Sequence, residues 1–243
     1  MSNAVPYHDQ LALGRRKLKT IFGSSPPRAL NAGELLGGAG ARNRIYLLQA
    51  GWACQFHDLP DGRRTILDIY LPGDVIGLDG GLNVRSLEEV LTLTAVTTET
   101  IPAEDALIEL MADRSIALYI AFLLGLRQRR SDRLLAAISG LDARGRLAMM
   151  LLDFYTRLRR RKLISGSPYH LPLTQIQIGN YLGLTVVHIN RVLRSLRSER
   201  IAVLEKHCVT ILDLEALVIM ARKGGTASSR AICDEHGLTE AAD

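Results

Sequence analysis

The side chains best suited to chemistry are concentrated between Thr185 and Arg194, in the segment TVVHINRVLR. The guanidinium groups of Arg191 and Arg194 can form bidentate hydrogen bonds with guanine or bind a phosphate. The short apolar side chains of Val186 and Val187 suit contacts with thymine methyl groups. This combination indicates contacts with a DNA duplex.

Two alternatives remain open for individual members of this segment. Arg191 reads a base edge, or it binds a phosphate and only positions the protein. His188 contacts phosphate or a base edge, or it is a surface residue without a contact. The predicted DNA-binding set is Thr174, Thr185, Val186, Val187, His188, Asn190, Arg191 and Arg194.

Motifs for catalysis and metal binding are absent from the sequence. It contains no nucleophile elbow, no P-loop, no Gly-x-Gly-x-x-Gly after a strand and no paired histidine and carboxylate motif. Cys54, Cys208 and Cys233 are odd in number and far apart, which argues against a disulfide framework or a cysteine metal site. We therefore predict that the chain is not an enzyme and has no metal centre.

Charge and hydropathy narrow the class of protein further. The net charge is +5, and basic residues cluster in 127–133, 157–162 and 191–200. Such clusters suit phosphate contacts, although each by itself is equally expected of a solvated helix face. No apolar run reaches the ~18–20 residues that span a bilayer, and the N-terminus lacks the pattern of a signal peptide. We expect a cytoplasmic protein without a membrane partner.

Two short helices are predicted around the cationic segment. Thr174 and Gln177 form a capping box that opens the first helix, and Gly183 is placed to end it. Thr185 then caps a second helix whose buried stripe is Ile189, Val192, Leu193 and Leu196. Two helices joined by a tight glycine turn predict a helix-turn-helix.

The flanking pattern extends this motif into a domain over 141–223. A helix is expected from Asp142, its N-cap, to about Lys162. Two short strands, 201–204 and 207–211, predict a β-wing, and a last helix follows from Asp213 to Arg222. Small and polar residues predict a flexible tail over 224–243.

The first half of the chain has the periodicity of β-strands. From Ile45 to Ile101 apolar residues alternate with polar ones, and turn signals such as 60–62 and 72–74 separate the runs. Cys54 alternates in step with Trp52 and Phe56, which predicts a core thiol. We predict an all-β sandwich or roll within a sensor domain over 1–112.

A long helix is expected to connect the two domains, over 113–140. Apolar residues recur every seven positions, which favours a coiled-coil dimer seam. The alternative is a helix packed on its own β-domain. The predicted interface residues are Ala117, Ile120, Leu124, Arg127, Leu134 and Ile138.

In this order, these segments resemble the superfamily of the cyclic-AMP receptor protein and the fumarate-nitrate reduction regulator (Crp/Fnr). The resemblance covers about 30–222 and rests on IYLLQAGWACQFHDLPDGRRTILDIYLPGDVIG, LDARGRLAMMLL and IGNYLGLTVVHINRVLRSLR. It implies an α+β protein with an N-terminal β-roll of the cyclic-nucleotide-binding type, a dimerisation helix and a C-terminal winged helix-turn-helix. It further implies a homodimeric bacterial transcription regulator that binds a palindromic operator and works with RNA polymerase.

The sequence departs from the family where cyclic-nucleotide members hold the cyclic phosphate. Those members carry Gly-Glu and then Arg-Ser, whereas here Leu78 follows Gly77, and Arg85 and Ser86 lie about four residues early. Cyclic-nucleotide binding is therefore not favoured. The expected effector pocket comprises Gly77, Leu78, Arg85, Ser86, Ser131 and Asp132.

Other cofactors are also not predicted. An iron–sulfur cluster is disfavoured because no cysteine precedes Cys54. Haem ligation by His8 or His57 stays open beside the simpler interpretation of solvated histidines. Cys208 is a redox-sensitive or a structural thiol. We expect an unknown effector or none; the alternative function is a ligand or redox sensor that acts through a protein partner.

Overall fold

The computed structural model describes residues 6–36, 44–78, 89–102 and 110–222. The chain divides into two compact units, Met1–Ser131 and Asp132–Asp243. The helices are α1 (Tyr7–Phe22), α2 (Arg114–Gly140), α3 (Ala143–Arg160), α4 (Gln175–Leu182), α5 (Val186–Ser198) and α6 (Leu214–Arg222). The strands are β1 (Arg28–Leu30), β2 (Arg44–Ala50), β3 (Ala53–Asp58), β4 (Arg64–Tyr70), β5 (Val75–Ile76), β6 (Glu89–Thr92), β7 (Val96–Pro102), β8 (Tyr169–His170), β9 (Ala202–Glu205) and β10 (Cys208–Ile211).

The first unit is the predicted β-roll. Its strands pair antiparallel in two sheets, with the orders β1-β7-β2-β5 and β4-β3-β6. Strand β2 contributes to two hydrophobic clusters, because successive side chains of a strand point to opposite faces of the sheet. Tyr46 and Leu48 lie in the cluster inside the roll, and Ile45 and Leu47 lie in the cluster outside it.

The outer cluster is covered by helices. It joins Leu18 and Phe22 of α1 with Ile116 and Ile120 of α2. The two helices approach closely at Gly14, where an added Cβ would lie 2.0 Å from the carbonyl oxygen of Ser115. Burial of this apolar surface stabilises the unit and holds α2 against the roll.

More residues of β3 are buried than the predicted alternation implies. Cys54 and Phe56 are buried as expected, but Ala53 and Gln55 on the other face are buried too. Both faces of this strand are covered, so the polar Gln55 lies inside the roll. Period-two alternation cannot predict this, because it assumes that one face of the sheet meets water.

The second unit contains the predicted winged domain. Asp142 is confirmed as the N-cap of α3, where its carboxylate accepts a hydrogen bond of 2.8 Å from the Gly145 amide. The wing strands β9 and β10 are present, and a third strand, β8, extends their sheet in the order β8-β10-β9. With only two residues, β8 is too short to show a periodic pattern in the sequence.

The long helix agrees with the prediction in its extent. It runs from Arg114 to Gly140, but the division between the compact units falls after Ser131, inside the helix and not at its end. The last turns of α2 pack within the second unit, where Arg133 lies 3.7 Å from the Asp153 carboxylate of α3.

The predicted dimer seam needs correction. Ile120 is 3% exposed and lies in the outer cluster, and Arg127 donates a hydrogen bond to Gln55 of its own unit. These two residues therefore cannot face a second chain while the helix keeps this packing. The other predicted seam residues, Ala117, Leu124, Leu134 and Ile138, are half-buried.

A different stripe of α2 faces outward. Its members follow the alternating spacing of four and three residues that a coiled coil requires. It begins with the half-buried Leu118 and continues with exposed residues, which are Phe122, Gly125, Arg129, Asp132, Ala136 and Ser139. The outward stripe has the same seven-residue period as the predicted seam and differs from it in register. Among the described residues, no helix is long and apolar enough to cross a membrane.

The position of Phe22 makes α1 an integral part of the first unit. Phe22 is 0% exposed, so Phe22→Ala should lower the free energy of unfolding by about 3–5 kcal/mol, through lost burial and the cavity it leaves. Urea denaturation measures this. The control is Tyr7→Ala on the same helix, whose side chain is 54% exposed. Equal effects of the two substitutions would contradict the packing of α1.

Candidate nucleic-acid interface

The helix-turn-helix begins with a complete capping box. The Thr174 hydroxyl accepts a hydrogen bond from the Gln177 amide, and the Gln177 side chain accepts one from the Thr174 amide, at 3.2 and 2.8 Å. At the other end of α4, Gly183 has φ +64° and donates its amide to the Gly179 carbonyl. This left-handed residue ends the helix as predicted, since glycine has no Cβ to strain there.

The turn is compact because Gly179 lacks a side chain. A Cβ at this position would lie 2.5 Å from the carbonyl oxygen of Leu184. The Leu184 amide donates a hydrogen bond of 3.0 Å back to the Gly179 carbonyl. The chain therefore returns directly over α4 before α5 begins.

Helix α5 is capped and buried on one side. The Thr185 hydroxyl accepts a hydrogen bond of 3.3 Å from the His188 amide, as the sequence predicts. Ile189, Val192 and Leu196 are buried, whereas the fourth predicted core residue, Leu193, is only half-buried. These contacts hold the opposite face of α5 toward solvent.

The outward face of α5 carries most of the predicted DNA-binding residues. Val186 and Val187 are 36% and 66% exposed, although apolar side chains are usually buried. Thr174, Thr185, His188, Arg191 and Arg194 are exposed, and Asn190 is half-buried. The exposed face of α5 is therefore apolar in its first turn and cationic further along.

The arginines of α5 differ in their partners. Within the described ranges, the guanidinium groups of Arg191 and Arg194 form neither a hydrogen bond nor an ion pair. Arg197, nearly one turn beyond Arg194, lies 2.6 Å from the Glu205 carboxylate of β9. Arg191 and Arg194 are thus available to an outside ligand, whereas Arg197 already has a partner on β9, in an exposed pair.

Sequence reasoning missed two exposed features near α5. Ile176, in the first turn of α4, is 62% exposed. The wing turn between β9 and β10 consists of Lys206 and His207, both with positive φ, at +48° and +60°. Such two-residue turns usually contain asparagine or glycine, so this pair gives a weak sequence signal. The turn presents a cation at the tip of the wing.

The expected effector pocket is not assembled by the described residues. Gly77 has φ +88°, and a Cβ there would lie 2.6 Å from the Arg44 carbonyl oxygen. Leu78 packs into the outer cluster with Phe22, on the opposite side of the sheet from the roll interior. Ser131 and Asp132 are exposed on α2, and Arg85 and Ser86 lie outside the described residues.

The cysteines and histidines fall into separate environments. Cys54 is 1% exposed, and burial raises the pKa of its thiol to about 11, which keeps it protonated. Cys208 is half-buried on β10. His8 is exposed on α1, and His57 is half-buried on β3. Cys233 and the predicted tail lie outside the described residues. Among the described residues, no three potential metal ligands come together.

Comparison with protein families divides the chain in the same way. Residues 27–113 match the model of the cyclic nucleotide-binding domain. Residues 145–219 match the model of the Crp-like helix-turn-helix domain. The first match includes the strands of the β-roll, and the second begins within α3 and ends within α6.

Several bacterial regulatory proteins are similar to this chain in sequence. The anaerobic regulatory protein of Pasteurella multocida is 28% identical over 178 residues, which cover 72% of this chain and 64% of that protein. The nitrogen fixation regulation protein FixK of Rhizobium meliloti is 28% identical over 176 residues, 72% of this chain and 77% of that protein. A CRP-like cAMP-activated global transcriptional regulator of Mycobacterium tuberculosis is 29% identical over 185 residues, which cover 74% of this chain and 80% of that protein.

A solved structure shares the fold. FixK2 from Bradyrhizobium japonicum superposes with a TM-score of 0.71 and 22% sequence identity, over 81% of this chain and 96% of that one. The likeness concerns the arrangement of elements and confirms the predicted fold class.

The close approach at Gly179 generates a prediction about the turn. Gly179→Ala should lower the free energy of unfolding by about 1–3 kcal/mol, because its Cβ would overlap the Leu184 carbonyl. Thermal and urea denaturation measure the change. At Gly166 in the same unit a Cβ would meet nothing within 4 Å, so Gly166→Ala is the control. A Gly179→Ala protein as stable as this control would contradict the turn geometry.

Proposed function

The chain belongs to the Crp/Fnr superfamily of bacterial transcription regulators, and we propose that it binds a palindromic operator as a homodimer, with α5 in the major groove. The proposal rests on the outward face of α5, where two exposed valines are followed by two arginines that have no partner among the described residues. Apolar contacts and bidentate hydrogen bonds are the means by which a helix reads base edges.

The residues of this face have separate roles in the proposal. Arg191 is one turn into α5 and donates two hydrogen bonds to a guanine. Val186 and Val187 contact thymine methyl groups. Arg194 lies nearly one further turn along and binds a phosphate. Thr174 and Thr185 stand at the starts of α4 and α5, where their exposed positions suit phosphate contacts.

Dimerisation is proposed through the outward stripe of α2. Phe122 is 38% exposed on this stripe, and the same helix exposes Leu126 and Leu135, at 38% and 66%. Gly125, where a Cβ would meet nothing within 4 Å, leaves room for a second helix to approach closely. A seam of this kind buries apolar side chains that the single chain leaves in water.

The described residues do not fit a cyclic nucleotide. The position that carries a glutamate in cyclic-nucleotide members is Leu78, and its side chain is buried outside the roll. Inside the roll, the Asp68 carboxylate already pairs with the Arg130 guanidinium, so this cation is not open to a phosphate. We therefore propose that operator binding needs no cyclic nucleotide. RNA polymerase is the further partner that the family implies.

Selection from a random DNA pool at near-physiological salt tests the proposed function. We expect enrichment of an inverted repeat whose half-site centres lie about 10–11 base pairs apart, because two recognition helices enter successive major grooves. Arg191→Ala should abolish the preference at one symmetric base pair, a loss of about 1–3 kcal/mol of discrimination. Binding measured on single-base variants of the operator gives this value.

Arg197→Ala is the matched control, because Arg197 lies on the same helix but pairs with Glu205. It should leave the base preference unchanged. Arg194→Ala should weaken binding evenly across sequences and reduce its salt dependence, as expected of a phosphate contact. If the pool yields no inverted repeat, or Arg191→Ala keeps the same preference, the assigned role of α5 is wrong.

The proposed seam predicts the effect of a charge on the outward stripe. Phe122→Arg should convert the dimer to a monomer, because it places two like charges opposite each other in the seam. Sedimentation analysis measures the mass in solution. Ile219→Arg is the control, since Ile219 is 46% exposed on α6 and is not part of the stripe. A Phe122→Arg protein that remains dimeric would move the interface elsewhere.

A further inference from the structure

Polar side chains, among them those of Gln55 and Asp68, are buried inside the β-roll. Gln55 and Asp68 are 5% and 3% exposed and are partners across β3 and β4. The neighbouring pair in this register, two residues along, is Ala53 and Tyr70, which belong to the cluster inside the roll. Because side chains two residues apart share a face of a sheet, Gln55 and Asp68 also face the interior.

Helix α2 provides a cation for each of these two side chains. The Arg130 guanidinium donates to both oxygens of the Asp68 carboxylate, from Nη2 at 2.8 Å and from Nε at 3.3 Å. The Nη2 of Arg127 donates to Oε1 of Gln55 at 2.6 Å. The two arginines are three residues apart and therefore lie on one face of the helix.

The sheet completes the network around these arginines. Tyr70 donates its hydroxyl to the same Oε1 of Gln55 at 3.0 Å, and the Ile69 amide donates to Asp68 at 2.9 Å. In the pair of Arg130 and Asp68, the side chains are only 16% and 4% exposed. Lifting α2 from the sheet would leave a buried carboxylate without its cation, which is strongly unfavourable.

An exposed pair on the same sheet provides the contrast. Arg64 and Asp58 form a similar bidentate contact on β4 and β3, but their side chains are 37% and 54% exposed. Water can replace either partner there, so the pair contributes little to holding any element in place. Burial therefore distinguishes the network under α2 from an ordinary surface ion pair.

We propose that Arg127 and Arg130 clamp α2 onto Gln55 and Asp68, and that this internal clamp orients α2 for operator binding without a bound effector. The Asp68 carboxylate supplies, from within the chain, the anion that Arg130 binds. Arg127 and Arg130 are positioning residues, and this role rests on the proposed function. Since α2 also carries the outward stripe on its other face, the clamp determines which surface a second chain meets.

The test removes the carboxylate and then returns an anion from solution. Asp68→Ala leaves a space beside Arg130 that formate, a carboxylate of the missing size, can enter. We expect Asp68→Ala to bind the selected operator at least about tenfold more weakly than wild type, ~1.4 kcal/mol. Formate should restore most of this affinity, and chloride at equal ionic strength should not. Equal ionic strength is essential because binding to DNA depends on salt.

A second readout follows the helix without DNA. Amide hydrogen exchange over residues 114–131 reports how firmly α2 is held. Exchange should be faster in Asp68→Ala and slowed again by formate. Arg130→Gln should show the same faster exchange without any response to formate, because the cation that binds the anion is gone. This variant also provides the test if Asp68→Ala does not fold.

The control variant is Asp58→Ala, which breaks the exposed pair of the same sheet. It should bind operator and protect α2 as wild type does, with no response to formate. The proposal is overturned if Asp68→Ala or Arg130→Gln keeps wild-type protection of α2, or if formate fails to restore Asp68→Ala. A wild-type protein that selects no operator would instead refute the proposed function, and the exchange experiment would still test the clamp.

Discussion

The packing of one face of α2 against the β-roll is the interaction on which the rest of the structure depends. Apolar side chains such as Ile116 and Ile120 fill the outer cluster, and Arg130 reaches a carboxylate inside the roll. Apolar burial contributes stability in proportion to area but has little directional preference. The buried pair of Arg130 and Asp68 adds direction, because its hydrogen bonds form only at one position and rotation of the helix. Because this packing fixes the rotation of α2, it also determines which stripe of the helix faces outward.

In the second unit, too, close packing determines which face of a helix is exposed. The absence of a side chain at Gly179 lets the chain fold back at Leu184, and the cap at Thr185 then starts α5 at a defined place. Burial of Ile189 and Leu196 fixes the rotation of α5. The valines and arginines of its outward face are therefore presented by contacts on the other side of the helix, so that its backbone loses little further conformational entropy when DNA is bound.

Much of this architecture was predictable because its signals are local. Caps at Thr174, Asp142 and Thr185 are short-range hydrogen bonds, and the sequence specifies both partners within three residues. Which stripe of α2 faces outward was not predictable in this way. It depends on which of two faces meets the chain's own core, and both faces of a helix can carry the same period. The burial of Gln55 was missed because period-two alternation assumes that one face of a strand meets water.

By itself, the sequence determined the order of elements, the helix-turn-helix and the set of side chains that face outward on α5, because capping and periodicity act over a few residues. Only the tertiary structure decided which arginines have a partner within the protein. Arg191 and Arg197 are both exposed cations of one helix, yet β9 brings Glu205 to Arg197 and no described residue pairs with Arg191. Likewise, the sequence pattern places Arg127 in the seam, whereas β3 positions Gln55 to accept its hydrogen bond. Pairing between distant segments has no local sequence signature, since it depends on where the fold brings two polar groups together.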